Sequence, residues 1–222
     1  HDVGYARELG YAIKHLGITR QTENGVELRV HPTLVPESCL IAGVNDVSNA
    51  VMVNADAVGT TLYYGPGAGS EPTASSVIAD IVDVARTMGS AADSWVPALG
   101  CNSASLQQQT IMAIEDIDTS FYIRFAALDK PGVLSDITKI MADAGISIEA
   151  IIQREQPAGE DYVNVIILTN VTREKLLDAA VENIEQLETV SGNVSFIRVE
   201  HLNQYVHFVL NNQHLYFFFF SF

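Results

Sequence analysis

The chain has 222 residues, 48% of them hydrophobic and 18% charged, which is enough to bury one or two ordinary cores and too apolar for a disordered segment. Twelve Lys and Arg stand against 27 Asp and Glu, and a formal charge of −15 repels phosphate backbones and anionic lipid, so no nucleic-acid or membrane partner is expected. Cys39 and Cys101 have no CxxC spacing and no neighbouring His pair, so neither a zinc site nor a disulfide framework is expected, and a reducing cytoplasm fits.

The first residues, HDVGYARELGY, carry no start methionine, basic region or apolar core of a leader, and read as a cut edge. Ala6, Leu9, Ile13 and Leu16 recur at helical spacing, so a helix is predicted there, with Asp2 as its cap and Gly17 as its stop. On that helix Lys14 and Glu8 form a solvated pair. ITRQTE and VELRVH flank Asn24-Gly25, a strong hairpin signal because both turn positions favour positive φ. His31, before Pro32, reads as structural, and Cys39, with no basic neighbour to lower its thiol pKa, reads as core. SNAVMVNADAVGTTLYYG predicts a second hairpin hinged near Asn54-Ala55-Asp56.

Gly65-Pro66-Gly67-Ala68-Gly69-Ser70 then leads into a helix from about Thr73 to Met88, stopped by Gly89. A glycine loop between strand and helix brings backbone amides toward whatever lies above the helix start, a place suited to a phosphate, a carboxylate or a cofactor edge; a plain tight turn is the alternative. The loop lacks the Lys-Ser/Thr ending of a phosphate-binding P-loop and the GxGxxG spacing of a dinucleotide fold. No complete active site is visible, and no catalytic residue is assigned.

Residues 89–119, small and polar and containing Trp95, read as a linker. From Phe121 the pattern is strand, helix, strand, strand, helix, strand: FYIRFAAL, VLSDITKIMADAG, ISIEAIIQ, YVNVIILTN, TREKLLDAAVENIEQL and NVSFIRVE. This βαββαβ order predicts a four-stranded antiparallel sheet with two helices on one face and a partner sheet or helix covering the other. The turn Asp129-Lys130-Pro131-Gly132 places Asp129 to cap the next helix, Pro131 in its first turn, and Gly132 where backbone approaches a ligand; a well-capped helix alone is the other reading. Residues 201–222 hold 8 of the 18 aromatics and no charged Asp, Glu, Lys or Arg. They look appended, Leu215–Phe220 is an aggregation hazard, and deleting residues 201–222 is expected to improve solubility. Spacings of 6 and 7 between His201, His207 and His214 fit no common metal pattern, and no metal is expected.

YARELGYAIKHLG, VHPTLVPES, NAVMVNADAVG and YYGPGAGSEPTASSVIADIVDVAR resemble, in order, the end of the catalytic domain of the homoserine dehydrogenase family. LDKPGVLSDITKIMADAGISIEAIIQ resembles an ACT domain, the amino-acid-sensing module often carried by bacterial members. The resemblance implies an α+β chain: a partial mixed α/β catalytic and dimerisation domain at 1–88 and a ferredoxin-like ACT domain at 120–200. It implies reduction of aspartate semialdehyde to homoserine with NAD(P)H, the cofactor meeting Gly65, Gly67, Ala68 and Gly69. The family's dinucleotide domain, catalytic Lys and acidic substrate ligands would precede this chain, which alone is expected to be inactive and to hold no cofactor. Where the family commonly has His-Pro after PES, this chain has Cys39 and Leu40. A homo-oligomer, at least a dimer, is implied, with an amino-acid effector, threonine by analogy, at Asp129, Gly132 and Val133 and at Ile146 and Ser147 of the partner. The alternative is a non-catalytic amino-acid-binding regulatory module.

Overall fold

The structure, a computed structural model, describes residues 2–55, 57–89, 104, 106–153 and 161–202, and the backbone of 216–220. The first helix is shorter than its periodicity suggests. Helix α1 spans Asp2–Glu8, and Gly10 at φ +79° turns the chain into strand β1, Tyr11–Thr22. Ile13 and Leu16 therefore lie on a strand, where Lys14, Leu16, Ile18 and Arg20 point inward at alternate positions. Pairing with a full-length partner overrides the helical spacing: β2, Gly25–Pro36, matches β1 residue for residue from Thr22↔Gly25 to Tyr11↔Pro36. That hairpin turns one position before Asn24-Gly25, at Glu23-Asn24, because Gly25 at φ +136° already pairs with Thr22 as the first residue of β2; Gly25 has a second reason to be glycine, because a Cβ there would sit 2.5 Å from the Thr110 carbonyl oxygen.

After a 3-10 turn at Leu40–Gly43, strands β3 (Ser48–Ala55) and β4 (Gly59–Pro66) form the second hairpin. Helix α2, Ser70–Thr87, follows the glycine loop and buries none of its residues. Trp95 and Cys101 lie outside the described residues, with the rest of 90–103 and residue 105; further along that stretch Thr110 and Met112 hydrogen-bond to Val26, stitching it to the first hairpin.

The second unit has the order read from sequence. Its strands are β5 (Asp118–Leu128), β6 (Ile148–Gln153), β7 (Tyr162–Thr169), the short β8 (Thr172–Arg173) and β9 (Val190–Val199). Helices α3 (Val133–Asp143) and α4 (Glu174–Glu185) cover one face, enclosing Phe121, Ile123, Phe125, Ile137, Met141 and Ile184. The other face is covered from within the chain. Tyr5 and Ala6 of α1 and Leu9 just after it pack with Tyr122, Ile166 and Leu168, so this face supplies no argument for a second subunit. Asp2 lies inside the first turn of α1 rather than ahead of it; it pairs with Arg124 and accepts a hydrogen bond from the Tyr122 hydroxyl at 3.0 Å.

The two units share one mixed sheet. Strand β10, Tyr216–Phe220, completes the order β4-β3-β10-β1-β2-β9-β5-β7-β6, with β8 beside β5. The aromatic segment is thus part of the sheet rather than merely appended. The joint between the units is the parallel contact of β2 with β9, Thr33↔Arg198 and Leu34↔Val199, backed by a buried cluster in which Glu200 takes Arg20 at 3.0 Å and also pairs with Arg29. Among the described residues no helix is long and apolar enough to cross a membrane.

Candidate functional site

The glycine loop leaves the sheet where β4 ends. Gly65 pairs with Asn49 and Pro66 with Ser48, and the Gly67 N–H donates to the Val47 carbonyl at 2.9 Å. At Gly67 a Cβ would fall 1.2 Å from Asn49 Nδ2, so the Asn49 side chain fills the space that any other residue would claim. Gly69 caps α2 at φ +117°, a conformation essentially reserved for glycine, while a Cβ at Gly65 would meet nothing within 4 Å. The glycine at 69 is thus required first by the backbone, not only by room for a ligand as its neighbourhood in the sequence suggests.

Pro66, Gly67, Ala68, Gly69 and Ser70 are all exposed, and the first turn of an 18-residue helix leaves amides without intrahelical acceptors beside them. Such a loop can accept the edge of an anionic ligand or cofactor. Asn49 carries no sequence motif; only its register opposite Gly65, set by the β3–β4 hairpin, brings it under the loop.

On the same sheet Lys14 is buried, not solvated beside Glu8, and its ammonium donates to the Val44 carbonyl at 2.6 Å and to Asn45 Oδ1 at 2.7 Å. Burial lowers its pKa, which nearby Asp46 opposes. It lines a cavity of about 440 Å³ with Arg7, Tyr11, Glu37 and Asn45. His31, 7% exposed, is held near Thr33 Oγ1 and the Pro32 carbonyl, and burial drives its pKa down to about 4, so it is neutral at physiological pH. Cys39 is a buried free thiol whose pKa burial raises. Both are core groups, as read. Among the described residues no group of His, Cys, Asp and Glu could hold a metal ion. His207 and His214 lie outside them.

In the second unit, the turn after β5 lines a cavity of about 170 Å³ with Asp129, Lys130, Gly132, Val133 and Gln153 at its wall and Val163 and Val165 below. The helix cap is Gly132 itself, left-handed at φ +97°; Asp129 does not cap it, and Pro131 precedes the helix rather than entering its first turn. The Asp129 carboxylate instead accepts from Gln153 Nε2 at 2.9 Å, tying the turn to β6. A Cβ on Gly132 would meet nothing within 4 Å, so its glycine answers to backbone conformation. Ile146 and Ser147 stand elsewhere. They follow the far end of α3, about 16 Å along that helix, with Ile146 buried in the core and Ser147 Oγ accepting from Asn170 at 2.9 Å. Within one chain the predicted effector residues therefore form two separate groups. Gln153, Val163 and Val165 are lining residues that sequence reading missed; the alternation of β7 was the only signal for the two valines, and Gln153 had none.

Residues 1–82 match the family model described as homoserine dehydrogenase, and residues 121–189 match that of the ACT domain. The chain is 52% identical over 202 residues to a homoserine dehydrogenase of Pseudomonas aeruginosa, covering 91% of this chain and 46% of that protein. It is 49% identical over 205 residues to one of Neisseria gonorrhoeae, again 91% and 46%. The crystal structure of a homoserine dehydrogenase from Thiobacillus denitrificans aligns at 52% identity with a TM-score of 0.81, over 90% of this chain and 44% of that one. A Staphylococcus aureus structure at 22% identity and TM-score 0.55 repeats the fold, over 90% of this chain and 45% of that one. The chain spans about half the length of the curated relatives it matches.

Proposed function

Because the chain belongs to the homoserine dehydrogenase family through residues 1–82 and carries an ACT domain at 121–189, we propose that it works as the carboxy-terminal part of an NAD(P)-dependent enzyme interconverting homoserine and aspartate semialdehyde. The observation that carries this reading is the 52% identity running through both units in one alignment. Work in the cytoplasm accords with the buried free thiol of Cys39.

The residues present fit one edge of a nicotinamide cofactor: an exposed turn, a glycine at φ +117° and a helix start beside it. Gly67, Ala68 and Gly69 would meet the cofactor through backbone, with Gly65 leading the chain into the turn. Bound there, the cofactor supplies the hydride chemistry. Asn49 keeps the loop's inner side filled, and α2 directs positive peptide dipoles toward the ligand. The chain joined to the amino-terminal half of the P. aeruginosa relative should oxidise homoserine with NAD(P)⁺, and the 222-residue chain alone should not. In that joined enzyme Ala68→Glu, which adds an anion without requiring an unusual φ, should weaken cofactor binding at least about fivefold, the size of one charge repulsion of about 1 kcal/mol near water. Unchanged cofactor affinity would remove the loop from the cofactor site.

The cavity at Asp129–Val133 suits an amino acid: the helix start favours a carboxylate, and Asp129 offers a partner for an ammonium. Threonine, the end product of the route that homoserine feeds, is the effector of this reading. Oligomerisation belongs to the same reading, since Ile146 and Ser147 could join the Asp129 cavity only from a second subunit. Calorimetric titration of threonine into the full chain should show binding that Asp129→Ala weakens about tenfold or more, the loss of a charge-assisted hydrogen bond. No heat with threonine would leave the ACT unit as an assembly element.

A further inference from the structure

The glycines of the loop differ in what requires them. Gly69 is fixed by its φ of +117°, whereas Gly65 has neither a left-handed φ nor an atom within 4 Å of where a Cβ would stand. Gly67 has no left-handed φ either, so its backbone would accept alanine. What stands in the way is Asn49. A Cβ on Gly67 would fall 1.2 Å from Asn49 Nδ2, 2.4 Å from its Cγ and 3.0 Å from its Cβ. Because the overlap reaches back to Cγ, turning the carboxamide about its last bond makes no room. Asn49 is also held in place, since it pairs with Gly65 in the β3–β4 ladder, and the Gly67 N–H is tied to the Val47 carbonyl at 2.9 Å.

The arrangement carries two penalties that a plain turn would avoid. Glycine at 67 gives the unfolded chain freedom that folding must remove, and Asn49 Oδ1 is buried without a hydrogen-bond partner. Alanine at 67 opposite a smaller residue at 49 would avoid both and keep the ladder of β3 with β4. Penalties of this kind gather where a site must hold one shape. Here the shape is that of the exposed turn: Asn49 fills its inner side, and Pro66, Gly67, Ala68, Gly69 and Ser70 lie exposed beside the start of α2.

We propose that Asn49 is a positioning residue for cofactor binding: wedged beneath Gly67, its side chain holds the loop in the shape that the edge of the nicotinamide cofactor meets, and Asn49 and Gly67 work as a matched pair. Asn49 acts by shape, through the loop, without touching the cofactor. A loop that is already ordered loses less freedom when a ligand binds, so the effect falls on cofactor affinity rather than on the affinity for homoserine. The proposal rests on reading the loop as part of the cofactor site.

The test has one arm on the 222-residue chain and one on the enzyme formed by joining it to the amino-terminal half of the P. aeruginosa relative. In the chain, the Gly67 amide should exchange hydrogen at least about tenfold faster in Asn49→Ala than in the parent. Asn49→Leu, which keeps the branched shape without the polar atoms, should stay within about threefold of the parent. In the joined enzyme, fluorescence titration with NADH and NADPH should show Asn49→Ala weakening the preferred cofactor at least about fivefold, KM for homoserine changing less than about twofold, and Asn49→Leu restoring most of the affinity. Gly67→Ala should weaken the cofactor about tenfold in the parent but less than about threefold beside Asn49→Ala, where the new methyl takes the vacated space. Amides of Phe121–Leu128 report folding, and Asn49→Ser replaces an alanine variant that fails to fold. Unchanged Gly67 exchange in Asn49→Ala, additive effects of the two substitutions, or a loss shared equally by cofactor and homoserine overturns the proposal. So does cofactor affinity that survives Asn49→Ala but not Ala68→Glu. If neither substitution weakens the cofactor, or the joined parent binds neither nucleotide, the loop lies outside a cofactor site, and the functional reading falls together with the proposal.

Discussion

The ACT unit and the β1–β4 sheet with α2 differ in how completely their apolar surfaces are covered. In the ACT unit helices lie on one face of the sheet and α1 on the other, and Phe121, Ile123, Ile137 and Ile184 are fully buried. In the first unit α2 buries nothing, and Val77, Ile78, Ile81 and Val84 are between 52% and 62% exposed. An apolar face at helical spacing on an 18-residue helix is unexplained by the packing of the described residues, whereas the ACT unit closes on itself with help from one short helix. One unit is built to be self-sufficient and the other to be completed.

The largest effect is expected where the two units join. Glu200, 1% exposed, directly follows strand β9 and is gripped by Arg20 and Arg29, while β2 and β9 exchange only two paired positions. Glu200→Ala removes the carboxylate that two buried guanidiniums share, and breaking a buried pair in this way costs about 3–5 kcal/mol. Urea unfolding should then separate into two transitions, the ACT unit melting last. The exposed Asp118–Arg173 pair, at 3.1 Å, is the contrast: Asp118→Ala should cost under about 1 kcal/mol. A single unchanged transition in Glu200→Ala would mean that the β2–β9 pairing and the packing of α1 hold the units together without the buried ion cluster.

Sequence reading recovered the ACT order, both hairpins and α2, because each has a period matching its burial or a turn residue with a specific φ. It misread Ile13 and Leu16 as helical. Their spacing of three fits a helix, and only pairing along the whole of β2 reveals the alternate burial of Lys14, Leu16 and Ile18. Lys14 followed the same error and became a surface group. The glycine loop was legible as a loop, but Asn49, the side chain that makes Gly67 necessary, is brought there by cross-strand register, which local spacing does not encode. The same holds for Gln153, whose bond to Asp129 spans 24 positions.

A smaller effect follows from the acid side of the comparison. His31 belongs to the first unit but faces the joint, near Arg198, Arg29 and Glu200, and burial first, then the neighbouring Arg charges, holds its pKa at about 4 against 6.5 in the unfolded chain, while the Pro32 carbonyl and Glu200 oppose the shift. Between those values the unfolded chain takes up a proton that the folded chain refuses. The stabilisation is therefore complete above about pH 6.5 and is lost as pH falls toward 4, by up to roughly 3 kcal/mol. His31→Gln should flatten this slope in urea titrations. For Asp2, burial opposes ionisation, but the bonds from Arg124 and Tyr122 outweigh it and lower the pKa, so its contribution is lost only at still lower pH, as the carboxyl protonates. An unchanged slope in His31→Gln would place the acid sensitivity elsewhere.

The smallest effect on stability is expected from α2, and its smallness is what sharpens the contrast. Ile81 is 62% exposed in the middle of the helix, so Ile81→Asn removes little buried area; the lower helix propensity of Asn limits the cost to about 0.5 kcal/mol. The equivalent position in the ACT unit, Ile137 of α3, is fully buried, and Ile137→Asn should cost several kcal/mol by placing an amide in an apolar core. What Ile81→Asn should change is association. If α2 is completed by another polypeptide, the variant should bind the amino-terminal half of the P. aeruginosa enzyme more weakly than the parent, by about tenfold for the loss of one buried aliphatic side chain. Equal binding by parent and variant, measured by sedimentation with the ACT unit intact, would mean that the apolar face of α2 stays in water in the complex.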